Sequence, residues 1–475
     1  LDKIPCLGSL HIGIIEFFKL MIFKTPIVVF IIFIVTLFAC HPSKYHEEIQ
    51  LTSDFSYNHD LDNNDNFSPD DQWLVYDTRT EEGGIGGCSR IEKVNTRTGE
   101  KVILYELPEN KSFGPGVGAV SYSHQENKVV FIHGLLSITE ENPYEQWRRS
   151  GVIVEDSNPG KAFFMDARDV TFPYTPGALR GGTHRHEWSG DGKWIGFTYN
   201  DAILKQLEDS TGQTHNLRTI GVSKKIKSIS VEEGIAGENV SGEWFTVIVV
   251  KVTPDPVPGS DEISRAAGDS WVGMSGYKNS SGNHQMARAF LGTVKDEMGK
   301  DVNEVFIVDI PEDITIPGDS GPLEGTKVEM PAPPRGTVQR RLTFTANAQY
   351  PGCTGIVRSA PDGNKLAFRA FDKNGTLQIF TISPHGGEAV QQTFHQTDVE
   401  SGARWHPDGE RIVYIWKNSL IIKEINQESF IELTKSTEQP PADLVISHDG
   451  KTIAYNRMVP DKSGKLVKQI FIIHI

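Results

Sequence analysis

The sequence predicts an all-β fold: a closed β-propeller of seven or eight four-stranded blades, with an N-terminal strand completing the last blade. Three observations carry this expectation. A turn-and-strand unit recurs along the chain, a second motif recurs between its copies, and that second motif also stands near the N-terminus with no unit ahead of it. Spacings of about 40 to 65 residues between units match one blade of four antiparallel strands.

The unit is clearest at Ala360-Pro361-Asp362-Gly363, His406-Pro407-Asp408-Gly409 and Ser447-His448-Asp449-Gly450. Each is followed by a short β-branched or aromatic run. Pro fixes φ, Asp bonds its own backbone, and Gly takes the dihedral other residues avoid, so the turn is dictated locally. Further copies stand at Phe67-Ser68-Pro69-Asp70-Asp71, at 121–134 and at Asp191-Gly192 with its strand at 194–199. Two weaker ones lie at 241–250 and 283–292, making eight in all. Asp70, Asp191, Asp362, Asp408 and Asp449 are therefore turn formers, not catalytic groups. The second motif is Arg341-Leu342-Thr343 and Glu432-Leu433-Thr434, with Gln50-Leu51-Thr52 as the N-terminal copy. The C-terminal strand has no outer partner behind it, and this early copy supplies one, which would leave no sheet edge at the seam. Two stretches break the rhythm. Insertions are expected near 253–282, with a short helix, and near 311–340.

With 475 residues, 38% hydrophobic and 23% charged, the chain has material for a large core. A formal net charge of −15 excludes nucleic acid as a general partner, since no phosphate-attracting excess of Lys and Arg exists. Four cysteines are too few for a disulfide scaffold, and the sequence leaves open whether Cys88 and Cys353 pair.

Residues 27–39 are apolar and follow Lys24, the pattern of a signal-peptide core too short to span a membrane comfortably. They end in Leu37-Phe38-Ala39-Cys40, which resembles a bacterial lipobox, so Cys40 is the expected lipidation site. The expected organisation is an upstream extension at 1–20, a lipoprotein signal peptide at 21–40 and a single propeller domain at 41–475. The protein is then expected in the cell envelope, lipid-anchored, on the periplasmic face of the outer membrane.

Chemistry concentrates at His184 and His186. Two imidazoles at i and i+2 on an innermost strand are expected to share one face beside the central channel, half of a metal site. Gln285 is a third candidate ligand, with His284 beside it. His133 ends a strand of the second unit, while Arg180 and Arg404 precede turns from which a guanidinium would clamp a carboxylate. The acidic run from Asp60 to Asp65 lacks the glycine and closing glutamate of a calcium loop. No phosphate loop, nucleophile elbow or paired-cysteine metal motif is present.

The units resemble the TolB-like, WD40-like propeller repeat of periplasmic proteins. The longer segments GGTHRHEWSGDGKWIGFTYND, TPDPVPGSDEISRA, EVFIVDIPEDI, GPLEGT and QRRLTFT resemble the DUF3748 family of bacterial exported proteins of unknown function. That resemblance implies the propeller and assigns no activity. The His pair is more distantly similar to oligogalacturonate lyase, a propeller enzyme with manganese held by histidines and a glutamine. That likeness implies a divalent cation, manganese or calcium, on His184, His186 and Gln285. It further implies β-elimination on a uronate, with an arginine such as Arg180 or Arg404 on the carboxylate and His133 or His284 as base. Two readings follow. The leading one is a ligand- or protein-binding propeller without turnover; the alternative is a metal-dependent enzyme acting on acidic carbohydrate.

Overall fold

The computed structural model describes residues 44–62, 65–80, 84–234 and 237–475. The expected upstream extension, the signal peptide and Cys40 lie outside these residues. Residues 44–475 form one compact unit. Among the described residues no helix is long and apolar enough to cross a membrane.

Seven antiparallel sheets follow one another along the chain. Blade 1 has three strands, Trp73–Asp77, Arg90–Asn95 and Lys101–Glu106, and two isolated bridges, Asp60 with Asp77 and Phe67 with Leu74, stand where its innermost strand is expected. Blade 2 runs from Val117–Tyr122 to Ala162–Phe164, blade 3 from Gly181–Trp188 to Phe245–Ile248, and blade 4 from Arg265–Trp271 to Val338–Arg341. Blade 5 runs from Cys353–Ser359 to Val390–Gln391 and blade 6 from Arg404–Trp405 to Ile431–Glu432. Blade 7 comprises Ala442–Ile446, Thr452–Pro460 and Leu466–His474, with the N-terminal strand Ile49–Gln50 outermost. In that last pairing Ile49 lies opposite Ile472.

The expectation of a closed propeller is corrected. No described sheet closes on itself: the sheets are separate, and the arrangement is propeller-like, with seven open blades. Neighbours are joined mainly by side-chain packing, with a few backbone bonds such as the Trp244 N–H on the Met165 carbonyl at 2.9 Å. One apolar cluster lies between each consecutive pair of blades, for example Val75 and Phe131 between blades 1 and 2, and Tyr76 and Ile472 between blades 7 and 1. The count of eight is corrected as well. The fourth weak unit is the outer strand of blade 3, and the fifth is the second strand of blade 4, Ala287–Lys295. The helix expected within 253–271 is instead a loop leading into the inner strand Arg265–Trp271.

A helix the sequence reading omitted, α1 (Ala202–Thr211), follows the second strand of blade 3. Asp201 caps it by accepting the Leu204 N–H at 2.9 Å, and Gly212 ends it at φ 69°. Cys88 and Cys353 are free, buried in separate clusters, and burial pushes both thiols up to about 12.

The turn chemistry behaves as its residues dictate. The Asp191 carboxylate accepts from Ser189 Oγ at 2.6 Å and Lys193 N–H at 3.1 Å, and Asp70 and Asp449 make the same pair of bonds. The Leu-Thr motif also has a physical basis. The hydroxyls of Thr52, Thr343 and Thr434 accept the N–H groups of the third-strand residues Ile470, Val305 and Leu420, and Thr393, which follows Gln392 in place of a leucine, does the same for Ile379 in blade 5. Thr52→Val keeps the shape and orphans the buried Ile470 N–H. It is expected to cost about 1–3 kcal/mol in chemical denaturation, and Thr52→Ser to recover most of that; equal stability of both variants would contradict the assignment.

Candidate functional site

The innermost strands do not run straight. Ala119, Arg185, Gly268 and Asp443 have φ of 53°, 58°, 65° and 50°, and each stands four residues before the first residue of its turn, Ser123, Ser189, Val272 and Ser447. The ladder slips at each of these points. This is a β-bulge, which breaks the two-residue alternation of side chains.

In blade 3 the bulge sits between the two histidines. Both turn toward blade 2, away from the channel. Arg149 Nε donates to His184 Nδ1 at 3.2 Å. Thr183 Oγ1 donates to Asp166 at 2.6 Å, so the His186 Nε2–H donates to that hydroxyl at 3.0 Å. His184 is 4% exposed and His186 0%. Burial, reinforced by the Arg149 charge, holds His184 well below its ordinary value and His186 down to about 3. Burial pushes Asp166 up to about 6.

This donor set does not suit a divalent cation. One imidazole nitrogen already takes an arginine proton, a guanidinium repels any added cation, and no group of three His, Cys, Asp or Glu side chains able to hold a metal gathers among the described residues. Gln285 does not join the pair. It lies with His284 on a small hairpin in blade 4, where its amide donates to the carbonyls of Met286 and Ile310. His284 is exposed. His133 is buried on blade 2 against the Tyr105 hydroxyl at 3.0 Å, and burial lowers its proton affinity. Arg180 is sealed inside blade 3, bonded to Asp201 at 2.7 Å and to the carbonyls of Thr326 and Glu329, where it pins the long 311–337 loop. In the acidic run, Asp60 pairs with Lys468 and Asp62 with Arg79, both at 2.9 Å.

Arg404 does reach the channel, in company the sequence reading did not foresee. Two residues before their turns, Glu187, Arg358 and Arg404 occupy one position in blades 3, 5 and 6. Glu187 accepts from Arg288 of blade 4 at 2.9 Å and from Arg358 at 2.7 Å, and Arg288 also pairs with Asp269. Arg404 pairs with Asp65 at 3.5 Å. Arg185, placed by its bulge, donates to the Asp269 carbonyl. Burial, with the charges of Arg358 and Arg185 against it, lowers Arg404 to about 9.

These groups edge two cavities. On the turn side, about 310 Å³ is lined by Glu187, Arg358, Arg404, Trp271, Trp405 and others, with His124 and His448 at its rim. On the opposite side, about 520 Å³ is lined by Arg358 and Arg404 again, with Arg369 and Glu400. The two tryptophans are fixed by ties between blades: Trp271 Nε1 donates to the Glu187 carbonyl at 3.0 Å and Trp405 Nε1 to the Arg358 carbonyl at 2.9 Å. Aligning the repeats by their turns exposes this charged position, a signal that reading each motif alone does not give.

A family model described as "Protein of unknown function (DUF3748)" matches residues 116–236. The chain is also 40% identical over 412 residues to the uncharacterised protein YidR of Escherichia coli (strain K12), covering 84% of this chain and 92% of that protein. The chain belongs to this family. Among solved structures it resembles an oligogalacturonate lyase in complex with manganese, with TM-score 0.54 and 11% identity, covering 90% of this chain and 93% of that one. An oligogalacturonate lyase from Vibrio parahaemolyticus gives TM-score 0.50 and 12% identity over 90% and 94% of the two chains. At such identities the likeness shows the fold alone, a propeller scaffold, for this DUF3748 member.

Two predictions follow from the buried charges. Glu187→Gln removes the buried charge that Arg288 and Arg358 share, while Arg288 keeps Asp269, and is expected to cost about 3–5 kcal/mol in equilibrium unfolding; a neutral effect would contradict the network. His186, depressed from an unfolded value near 6.5 to about 3, contributes stability that is full above about 6.5 and lost as pH falls toward 3. The melting temperature of His186→Asn should therefore fall less between pH 6.5 and 4 than that of the unaltered protein.

Proposed function

We propose that this protein is an exported, lipid-anchored propeller of the cell envelope that binds a small anionic ligand in its channel without chemical turnover. What carries the reading is the pair of guanidiniums, Arg358 and Arg404, that line the cavities on both sides, in a chain whose formal net charge is −15. Holding such charges together in a partly desolvated place is costly, as the lowered Arg404 indicates, and a bound carboxylate relieves that cost. The indoles of Trp271 and Trp405 offer flat apolar walls beside the guanidiniums. Together these favour an acidic carbohydrate over a protein segment, since sugar faces stack on indole while the carboxylate takes the arginines. The apolar stretch at 27–39 and the Cys40 context support export and membrane attachment.

The alternative, β-elimination by a bound divalent cation, draws on the fold shared with a lyase whose structure contains manganese. The Arg149 bond to His184 and the placement of Gln285 speak against it.

Thermal-shift titration separates the readings. D-galacturonate is expected to raise the melting temperature in a saturable way, D-galactose is not, and Arg404→Gln should reduce the effect at least tenfold in apparent affinity. Manganese-dependent release of unsaturated product from polygalacturonate would replace the binding reading with the enzymatic one.

A further inference from the structure

Blade 1 departs from the repeat at one residue. In blades 3, 5, 6 and 7 the left-handed turn position is Gly192, Gly363, Gly409 and Gly450, with φ between 70° and 75°; in blade 1 it is Asp71, at φ 59°. The carboxylate makes use of the strained position. Asp71 accepts the backbone N–H of His448 at 2.8 Å, that of Asp449 at 2.9 Å, and the His448 ring Nδ1–H at 2.7 Å. His448 therefore carries a proton on Nδ1.

A second carboxylate closes the chain of contacts. His124 Nε2 lies 3.3 Å from Asp65. Burial opposes ionisation of Asp65, but the His124 bond and the charges of His124, Arg404 and Arg358 outweigh it and hold the carboxyl well below the usual range. Asp65 is thus an acceptor, and His124 carries a proton on Nε2. The remaining nitrogens, His124 Nδ1 and His448 Nε2, face each other at 3.0 Å with the rings edge to face. Were both imidazoles neutral, two lone pairs would oppose each other at hydrogen-bonding distance.

We propose that His124 and His448 hold one proton between them, forming a proton-operated clasp that joins the turns of blades 2 and 7 across blade 1 at the rim of the turn-side cavity. The groups facing the pair are Asp65 and Asp71 directly, the Glu187 charge, and Arg404 through Asp65. For His124, burial works against the charge while Asp65 and Glu187 outweigh it, so its proton affinity is raised. With the folded value above the unfolded one, the clasp's stabilisation is complete below about pH 6.5 and is lost as pH rises through the folded value. Loss of the proton also removes one positive charge from the cavity rim. On the anion-binding reading, which this last consequence alone rests on, ligand affinity then falls at alkaline pH.

The test is a pH titration of the full chain labelled with ¹⁵N-histidine, read by long-range proton–nitrogen NMR in buffer free of anionic ligands. His124 Nδ1 is expected to lose the shared proton in a single step as pH rises while both rings keep their carboxylate-side N–H, and in His448→Asn the His124 titration should move to lower pH by at least one unit. Asp71→Gly restores the turn residue of the other blades and is expected to uncouple the rings while leaving the fold intact. A His124 Nδ1 that carries no proton at any pH in the unaltered protein, or a His124 titration unmoved in both variants, would overturn the clasp. Because no ligand is present, these outcomes do not depend on whether the channel binds an anion.

Discussion

The Glu187 carboxylate ties three blades together at one buried point. Its two oxygens take one arginine from blade 4 and another from blade 5, so three sheets that share no ladder are fixed relative to one another. Separate sheets impose this requirement. Each blade satisfies most of its backbone internally, backbone bonds between blades are few, such as the Tyr122 N–H on the Asp65 carbonyl and the Met274 N–H on the Pro361 carbonyl, and side chains supply the rest of the orientation. Apolar clusters supply the bulk of the attraction, but they are non-directional. Direction comes from polar ties between neighbouring blades: the Trp271 and Trp405 indoles, the Gln125 amide on the Gly190 carbonyl, and Asp71 on the blade 7 turn.

The same arrangement creates the candidate site. Innermost strands converge on the axis, and the register slips in five of them redirect side chains from plain alternation. Where the blades need only packing, the positions two residues before the turns are apolar, as at Val445. Where they carry arginine and carboxylate, the charges are shared between blades and leave cavities on both sides. Scaffold and site are thus built from one set of residues, so substitution of a channel charge acts on stability and on ligand affinity together.

The turns were legible in the sequence because their chemistry is local: Asp bonds a neighbour two residues away and Gly takes a left-handed φ. The Leu-Thr motif was equally legible, although its cause, a hydroxyl accepting a third-strand N–H, needed the structure. Of the seven or eight blades expected, seven are present, and the extra unit at 241–250 was misassigned because an outer strand has the same β-branched composition as a second strand. The position of the histidines failed for a sharper reason. Alternation predicts one shared face toward the channel, but the bulge falls on Arg185, and no glycine marks it. Glu187 stayed unseen because its partners lie 101 and 171 residues away. Distances of that kind leave no local pattern.

Crystallography of the soluble body soaked with D-galacturonate tests the central claim most directly. The account predicts a bound carboxylate within hydrogen-bonding distance of Arg358 or Arg404 and a sugar ring against Trp271 or Trp405. Water alone in the channel at saturating ligand, or a metal ion between His184 and His186, would contradict it.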